Sequence, residues 1–287
     1  MRFRSFLARL LALSFVLFSF PLVSCRAASV ECSAASAILY CPASREVLYE
    51  KCADQRRPIA STTKIMTALA VLREGGDLDR SVTVPSDACG IEGTSLYLQP
   101  GETLSVRDLL YGLLLASAND AATSLALLSA GSVPAFAEKM NRIAEEIGLT
   151  NTHFTNPHGL FDPEHYSSAR DLALLTAAAY DNANFREIVS TRRTVIPAPD
   201  GAKRVLLNHN KLLTMLPDCV GVKTGFTKKS GRCLVSATER DGTFLVCVTL
   251  NDPNDWRDHI ALHNYGLSHY QRNMTGPLKE KDVFKDE

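Results

Sequence analysis

The hydrophobic and polar positions of the chain fall into three blocks. Two short runs within residues 36–51, joined by a Pro/Ser turn, predict a β-hairpin. Stretches with helical spacing follow, and then three apolar, β-branched runs separated by glycine-containing turns. The predicted strands are 81–85, 219–225, 231–240 and 242–251, and the predicted helices are 61–73, 104–117, 120–131, 132–148, 167–182 and 254–270. Strands at both ends with helices between them predict an α+β fold, with an antiparallel sheet assembled from distant segments and a helical lobe.

Local signals mark where several of these elements begin and turn. Ser105 and Asp108 have the spacing of a capping box for the helix at 104–117. Ser168 and Asp171 open the helix at 167–182 in the same way. The Asp-Gly pair at 241–242 predicts a tight hairpin between the last two strands.

The first 25 residues differ in character from the rest of the chain. Three arginines precede an apolar run, and small residues follow it, which is the pattern of a secretory signal peptide. The apolar run is shorter than the roughly 20 residues that span a bilayer, although a retained membrane anchor stays an alternative. The stretch 22–25 also resembles a bacterial lipobox, in which Cys25 would be lipidated, while residues 25–27 fit ordinary cleavage.

A cleaved signal peptide, a lipidated Cys25 and a retained anchor all predict a protein that works outside the cytoplasm. The expected organisation is a signal peptide at 1–25, one catalytic domain at 30–270 and a polar tail at 271–287. Any hold on a membrane is then expected to come from the N-terminus alone.

Composition and charge narrow the class of protein. The 287 residues are 46% hydrophobic, enough for a full core, and 31 basic and 31 acidic side chains give a formal net charge of +0. No stripe of lysine or arginine with interleaved aromatics is present, so we expect no nucleic-acid partner. The 8 cysteines have irregular spacings and no CxxC pair, so we expect small buried side chains and neither a disulfide framework nor a metal site.

The chemistry begins with a serine and a lysine at the start of a helical run. Ser61 and Lys64 are three residues apart, which places them on one helix face at about 5–6 Å between Cβ atoms. A serine needs a base before it attacks a carbonyl, and a lysine serves only when neutral, with its pKa lowered by roughly 2–3 units. Burial and a second cation can lower it. The alternative is a helix turn whose lysine extends to solvent.

Two further stretches add to this pair. Ser117 and Asn119 lie where one apolar helix ends and another begins, so they can present side chains into a cleft or simply cap helices. Lys223 and Thr224 follow an apolar strand and can bind a carboxylate by charge-assisted hydrogen bonds. Gly225 after them permits close approach of another backbone, although an ordinary strand and turn would have the same residues.

Together the S-x-x-K, S-x-N and K-T-G motifs resemble those of the penicillin-binding-protein and serine β-lactamase superfamily. Within it, the chain resembles the low-molecular-weight D-alanyl-D-alanine carboxypeptidases, peptidase family S11, over roughly residues 36–270. The likeness includes RRPIASTTKIMTALAVL, LQPGETLSVRDLLYGLLLASANDAATSLA, LTNTHFTNPHGL and GVKTGFTKKSGRCLVSAT. It implies a β-lactamase/transpeptidase-like fold, with an antiparallel five-stranded sheet flanked by helices plus an all-helical lobe. It also implies a serine carboxypeptidase of cell-wall synthesis that acts on peptidoglycan stem peptides, binds β-lactams and needs no cofactor.

The resemblance also implies a role for each motif residue. The roles are a nucleophile (Ser61), its general base (Lys64), a proton relay (Ser117), a group that holds the substrate amide (Asn119), a cation near the serines (Lys223) and a ligand for the terminal carboxylate (Thr224). Gly225 belongs to the substrate-binding strand, and the backbone N–H groups of Ser61 and Phe226 are the expected oxyanion hole. Phe226 stands where some relatives have histidine. Longer relatives have a second β-rich domain and a C-terminal amphipathic helix, and we expect neither in these 287 residues.

Several alternatives stay open. A class A β-lactamase would need a glutamate for deacylation, and the surroundings of Glu164 and the presence of Ala118 do not match that class. A non-catalytic penicillin sensor and a D,D-endopeptidase of the same family both fit the motifs. His259 and His263 have zinc-ligand spacing, but the HExxH glutamate is missing and no third ligand suggests itself. No G-x-S-x-G elbow is present for a Ser-His-Asp hydrolase.

Overall fold

A computed structural model describes residues 30–274, so the predicted signal peptide and lipobox, and residues 275–287 of the predicted tail, lie outside the described residues. The strands are β1 Ser36–Cys41, β2 Glu46–Lys51, β3 Ser81–Thr83, β4 Thr103–Ser105, β5 Arg193–Pro197, β6 Lys203–Leu207, β7 Cys219–Thr227, β8 Gly231–Arg240 and β9 Thr243–Leu250. The helices are α1 Lys64–Leu72, α2 Val106–Leu114, α3 Asn119–Ala130, α4 Val133–Glu146, α5 Ala169–Tyr180, α6 Ala183–Ser190, α7 Leu212–Met215 and α8 Asp255–Met274.

The central sheet joins the two ends of the described chain. Its five antiparallel strands have the order β2-β1-β9-β8-β7, so the N-terminal hairpin pairs with the last strand. β8 and β9 pair from Arg240 opposite Thr243, which leaves Asp241 and Gly242 as a two-residue loop with φ of 49° and 77°. Both values are positive, as a type I′ hairpin turn requires, so the predicted hairpin is confirmed.

Both faces of the sheet are covered at its centre, which explains why β1 and β9 are nearly continuous apolar runs. Alternate residues point to opposite faces, and the two sets join different clusters. Ile38, Val246 and Val248 pack with the helical lobe. Leu39 and Cys247, one residue along their strands, pack in a separate cluster with side chains of α8.

The two helix caps that the sequence predicts are present. Ser105 accepts from the backbone N–H of Asp108, whose carboxylate accepts from the Ser105 N–H, so the capping box is present. Ser168 caps α5 through the Asp171 N–H. All nine residues of α1 are buried, which makes this helix the centre of the lobe.

Several elements differ from the prediction. The helix predicted at 104–117 is shorter, because residues 104–105 belong to β4 and the chain leaves α2 after Leu114. α6, the hairpin β5–β6 and α7 were missed. Each of the two strands begins with polar residues and has only one buried residue among its five, so they lack a buried strand's pattern. α8 continues to Met274, four residues into the predicted tail. Within residues 30–274, no helix is long and apolar enough to cross a membrane.

Candidate active site

Ser61 and Lys64 meet at the start of the central helix. A short 3₁₀ turn, Ala60–Thr63, leads directly into α1, which begins at Lys64. The turn, not an α-helix, therefore carries Ser61, and its side chain remains partly exposed. Lys64 Nζ lies 3.0 Å from Ser61 Oγ. The pair predicted from the sequence is thus in hydrogen-bonding contact.

Lys64 is fully buried, and its surroundings favour the neutral amine. Burial, and then the charge of Lys223, lower its pKa well below the usual value, while the Asp120 carboxylate opposes that shift. Nζ also donates to Asn119 Oδ1 at 2.7 Å and to the His158 carbonyl oxygen at 2.8 Å. These two oxygens can only accept, so they take up the two N–H bonds of a neutral Lys64 amine. The lone pair of Nζ is then left to accept a hydrogen bond from the Ser61 hydroxyl.

The second motif lies in the connection between α2 and α3. Ser117 has a left-handed φ of 61° and is 6% exposed, and its side chain lines a groove next to Ser61. Asn119 is the first residue of α3, and its amide nitrogen donates to the Glu92 carbonyl oxygen at 2.6 Å. This bond determines which way the amide points and leaves its oxygen for Lys64.

The third motif lies on the edge strand β7. Lys223 is fully buried, burial lowers its pKa to about 7, and its Nζ donates to the Thr224 carbonyl oxygen at 2.9 Å. A Cβ on Gly225 would lie 3.1 Å from both the Ser61 nitrogen and the Ile59 carbonyl oxygen. The glycine therefore lets β7 pack directly against the turn that bears Ser61. Phe226 is 66% exposed at the edge of the site.

These pieces converge on one groove. A cavity of about 370 Å³ is lined by side chains or backbone from all three motifs, while Lys64 and Lys223 are buried. The lining residues are Ser61, Thr94, Ser117, His209, Lys211, Thr224, Gly225, Phe226, Arg232, Cys233, Asp255 and Trp256. The arrangement combines a hydroxyl, a buried neutral amine and an adjacent buried lysine, which is the equipment for attack on a carbonyl by an activated serine.

A family model described as D-alanyl-D-alanine carboxypeptidase matches residues 23–254. The chain belongs to the D-alanyl-D-alanine carboxypeptidase family. D-alanyl-D-alanine carboxypeptidase DacF of Bacillus subtilis is 34% identical over 256 residues, which cover 87% of this chain and 65% of that protein. D-alanyl-D-alanine carboxypeptidase of Streptomyces sp. strain K15 is 36% identical over 242 residues, covering 77% of this chain and 82% of that protein.

Solved structures of the family share the fold. The crystal structure of the Streptomyces K15 DD-transpeptidase superposes with a TM-score of 0.78 at 33% identity, covering 83% of this chain and 98% of that one. A penicillin-binding protein homologue from Mycobacterium tuberculosis superposes with a TM-score of 0.78 at 32% identity, covering 83% and 92%. The predicted fold class, five-stranded sheet and family are confirmed.

The connection between α4 and α5, which the sequence analysis recognised only by its family likeness, contacts the helix turn that bears Ser61 and Lys64. Besides the His158 carbonyl on Lys64, the Pro157 carbonyl oxygen accepts from Thr67 Oγ1 at 2.6 Å. His165 Nε2 lies 2.7 Å from Thr63 Oγ1, and burial holds the pKa of this histidine down at about 4. The stretch LTNTHFTNPHGL had pointed to this segment, but a backbone carbonyl leaves no side-chain signal in a sequence.

Asp120 is a second residue whose role was missed. It is fully buried next to Asn119, and its two carboxylate oxygens accept from the backbone N–H groups of Leu96 and Leu98, each at 3.0 Å. It also accepts from Ser95 Oγ at 2.6 Å. The carboxylate thereby anchors the segment that follows Thr94, which lines the groove.

The paired histidines that resembled a zinc site form a buried hydrogen-bonded chain. Contrary to the sequence analysis, a third ligating atom is near, because Cys247 Sγ lies within 4.8 Å of ring nitrogens of His259 and His263. However, all four ring nitrogens already contact hydroxyls: Ser236 bridges the two rings at 2.6 and 2.7 Å, and Thr249 and Thr238 take the outer nitrogens at 2.9 Å. This arrangement accounts for the histidines as packed core groups.

The cysteines also have structural positions. None of the seven between residues 30 and 274 forms a disulfide. Four are buried, as predicted for small apolar side chains, two are partly buried, and Cys52 is exposed. A second group of ligating side chains, Cys32 with Asp252 and Asp258, lies where the first described residues meet the start of α8, and both carboxylates accept hydrogen bonds from Ser33. Its bonds tie the N-terminal segment to α8.

Proposed function

We propose that this protein is a serine-type D-Ala-D-Ala carboxypeptidase that removes the terminal D-alanine from peptidoglycan pentapeptides through an acyl-enzyme on Ser61. One observation carries the proposal: the fully buried Lys64 amine, with its pKa held well below the usual value, lies 3.0 Å from Ser61 Oγ at the wall of the groove. A neutral amine at that distance is a general base already in position. Family membership supports the same activity.

In acylation, Ser61 Oγ attacks the carbonyl carbon of the penultimate D-alanine, and its proton passes to Lys64 Nζ. The carbonyl oxygen becomes an oxyanion, which the backbone N–H groups of Ser61 and Phe226 stabilise as hydrogen-bond donors. Collapse of the tetrahedral intermediate breaks the peptide bond, and Ser117 relays a proton to the departing amine of D-alanine. Water then hydrolyses the ester and frees Ser61.

Binding of the substrate is assigned to the remaining motif residues. Lys223 and Thr224 receive the terminal carboxylate, since a buried ammonium and a neighbouring hydroxyl form strong hydrogen bonds with an anion. The charge of Lys223 also lowers the pKa of Lys64, so one cation serves both the substrate and the base. Asn119 orients Lys64 and holds the substrate amide. None of these steps requires a metal or cofactor.

β-Lactams are proposed to acylate the same serine, because they present a strained amide in place of the D-Ala-D-Ala bond. Ser61→Ala should abolish labelling by a fluorescent penicillin, since no nucleophile remains. The matched control is Ser86→Ala, in an exposed turn that does not line the groove, which should label normally. Labelling that persists in Ser61→Ala would remove Ser61 from this role.

Lys223 is tested with two substrates that differ only at their C-terminus. Lys223→Ala should reduce kcat/KM for a pentapeptide with a free terminal carboxylate much more than for its C-terminal amide, because only the former presents an anion. Equal losses for the two substrates would contradict the assigned contact.

A D,D-endopeptidase that cleaves cross-linked peptides is the second candidate, because the same groove chemistry would cut either bond. Incubation of the purified protein with a pentapeptide and with a cross-linked dimer, followed by mass spectrometry, separates the two. Release of D-alanine from the pentapeptide with an intact dimer supports the carboxypeptidase. Cleavage of the dimer without release of D-alanine supports the endopeptidase.

Export is proposed from residues 1–25, with membrane attachment only through this segment. Mass determination of the mature N-terminus in the native host tests it: cleavage near residues 25–27 supports secretion, and a lipid on Cys25 supports a lipoprotein. An unprocessed N-terminus on a cytoplasmic protein would contradict export.

A further inference from the structure

Three ligating side chains converge outside the groove, where the first described residues meet the start of α8. The Cys32 thiol and one oxygen from each of the Asp252 and Asp258 carboxylates lie within 4.8 Å of one another. Asp252 and Asp258 are 0% and 1% exposed, and Cys32 is 9% exposed. Cys32 also lines a cavity of about 360 Å³, which shares no lining residue with the groove at Ser61. The cluster is therefore buried and borders an open cavity, which gives an ion a route to it.

One buried oxygen of this cluster lacks a partner. Asp252 Oδ1 accepts from Ser33 Oγ at 2.9 Å and from the Asn254 N–H at 3.0 Å. Asp252 Oδ2 is buried and accepts no hydrogen bond from the described part of the chain. The Thr249 hydroxyl is nearby, but it contacts His259 Nε2 at 2.9 Å and makes no hydrogen bond with this oxygen. A buried carboxylate oxygen without a partner is costly, and a bound cation would remove that cost.

The charges around the two carboxylates also favour a cation. Ser33 Oγ lies 2.9 Å from Asp252 Oδ1 and 2.7 Å from Asp258 Oδ2, but a hydroxyl has one proton and donates to only one of them at a time. Among the described residues, only Arg257 forms an ion pair with either carboxylate. Its Nε is 3.4 Å from Asp258 Oδ1, and its side chain is 75% exposed. Two buried carboxylates therefore share one exposed counter-charge, and a divalent cation would neutralise them.

We propose that Cys32, Asp252 and Asp258 bind a divalent transition-metal ion of the Zn²⁺ class, which joins the N-terminal segment to α8. Zn²⁺ accepts thiolate and carboxylate ligands in one tetrahedral site, with bonds of about 2.3 Å to sulfur and about 2.0–2.2 Å to oxygen. Such bonds separate the ligand atoms by about 3.4–3.6 Å, which small side-chain rotations achieve from the present spacing. Ca²⁺ and Mg²⁺ prefer oxygen ligands, so the thiol argues against them.

The proton and charge balance of binding is simple. As the metal–sulfur bond forms, the Cys32 thiol loses its proton to solvent, and a water from the cavity takes the fourth position. The thiolate and two carboxylates then carry one negative charge more than the ion neutralises. Lys51, whose Nζ donates to the Cys32 carbonyl oxygen at 2.9 Å, and Arg257 both line the cavity and offset that charge.

Cobalt and zinc are the probes. The whole protein is freed of metal with a chelator and titrated with Co²⁺, because a cobalt–thiolate bond gives a charge-transfer absorption band. We expect the band to saturate at one ion per chain and to disappear when Zn²⁺ displaces the cobalt. Calorimetry in buffers of different ionisation enthalpy should show about one proton released per ion. Zn²⁺ at a hundredfold excess over its Kd should raise the melting temperature by about 5 °C.

Variants of the ligands locate the ion. Cys32→Ser should abolish the cobalt–thiolate band and raise the Kd for Zn²⁺ at least about tenfold. Asp252→Asn should keep the band and raise this Kd by a similar factor, since one charged ligand is lost. Serine nearly matches cysteine in size, so Cys32→Ser remains informative if Asp252→Asn fails to fold. The matched control is Cys52→Ser, at an exposed cysteine outside the cluster, which should bind both metals as the wild type does.

A wild-type protein without the cobalt–thiolate band would overturn the site, as would a band that Cys32→Ser keeps. A band lost in Cys247→Ala and kept in Cys32→Ser would place the metal at His259 and His263, and the inference would be wrong. An equal rise in melting temperature with Zn²⁺ in the wild type and in Cys32→Ser would also contradict it. None of these results bears on the proposed function, because labelling of Ser61 by fluorescent penicillin tests that separately.

Discussion

Gly159→Ala tests whether the His158 carbonyl positions the base. Gly159 has a left-handed φ of 89°, and a Cβ built on it would overlap the Ala60 carbonyl oxygen and lie 2.9 Å from Thr63 Oγ1. Carbon and oxygen normally approach no closer than about 3.3 Å, so the segment must withdraw from the Ser61 turn by about 1 Å or more. The adjacent His158 carbonyl, now 2.8 Å from Lys64 Nζ, then loses its hydrogen bond.

The expected size of the effect follows from three contributions. An alanine in the left-handed region costs about 1–2 kcal/mol, overpacking against the turn about 1–3 kcal/mol, and a lost hydrogen bond about 1 kcal/mol. Because the backbone will relax, we expect the free energy of unfolding to fall by about 2–4 kcal/mol. The acylation rate should fall by about 100-fold, since a base displaced by about 1 Å transfers protons poorly.

The assay is the rate of acylation by a fluorescent penicillin, measured beside thermal unfolding. Gly148→Ala is the matched control: φ is 77° there, but nothing lies within 4 Å of the added Cβ. It should show the backbone strain alone and acylate normally. An acylation rate for Gly159→Ala within about threefold of that control would refute the argument that this contact positions Lys64.

Three more predictions follow from other parts of the molecule. Lys64 and Lys223 have lowered pKa values in the folded state, so the unfolded chain binds more protons, and from about pH 7 to 8.5 the free energy of unfolding should rise by up to about 1.4 kcal/mol per pH unit for each lysine. Urea unfolding at several pH values should show a smaller rise with pH for Lys64→Met, and an unchanged rise would contradict burial as the cause of the lowered pKa. Asp120→Ala should lower the free energy of unfolding by about 3 kcal/mol and slow acylation, and Asp120→Asn, which keeps one acceptor oxygen, should lose less. A melting temperature of Asp120→Ala equal to that of the wild type would contradict the anchoring role. Iodoacetamide should modify Cys52 before the other thiols between residues 30 and 274, as mass spectrometry would detect, and earlier modification of the buried Cys247 would contradict the packing.

Much of the fold could be predicted from short-range signals. Ser105 and Asp108 satisfy each other's backbone within one helical turn, and the Asp-Gly pair at 241–242 turns the chain within two residues. The strands β7, β8 and β9 were recognisable because each contains an apolar run whose residues are buried in the sheet. By contrast, β5 and β6 stay largely exposed, and their mixed polar pattern matches neither a buried strand nor a helix.

By itself, the sequence determined which side chains could do the chemistry and, through their order, the family. Only the tertiary structure decided the protonation of Lys64, because its pKa depends on burial and on Lys223, a residue distant along the chain. The same holds for two hydrogen bonds between distant residues. Lys64 donates to the His158 carbonyl oxygen, 94 positions away in the sequence, and Arg232 donates to Asp255, 23 positions away. Capping and turn signals act within a few residues and can be recognised in one chain. Desolvation and long-range hydrogen bonds exist only once distant segments have packed together.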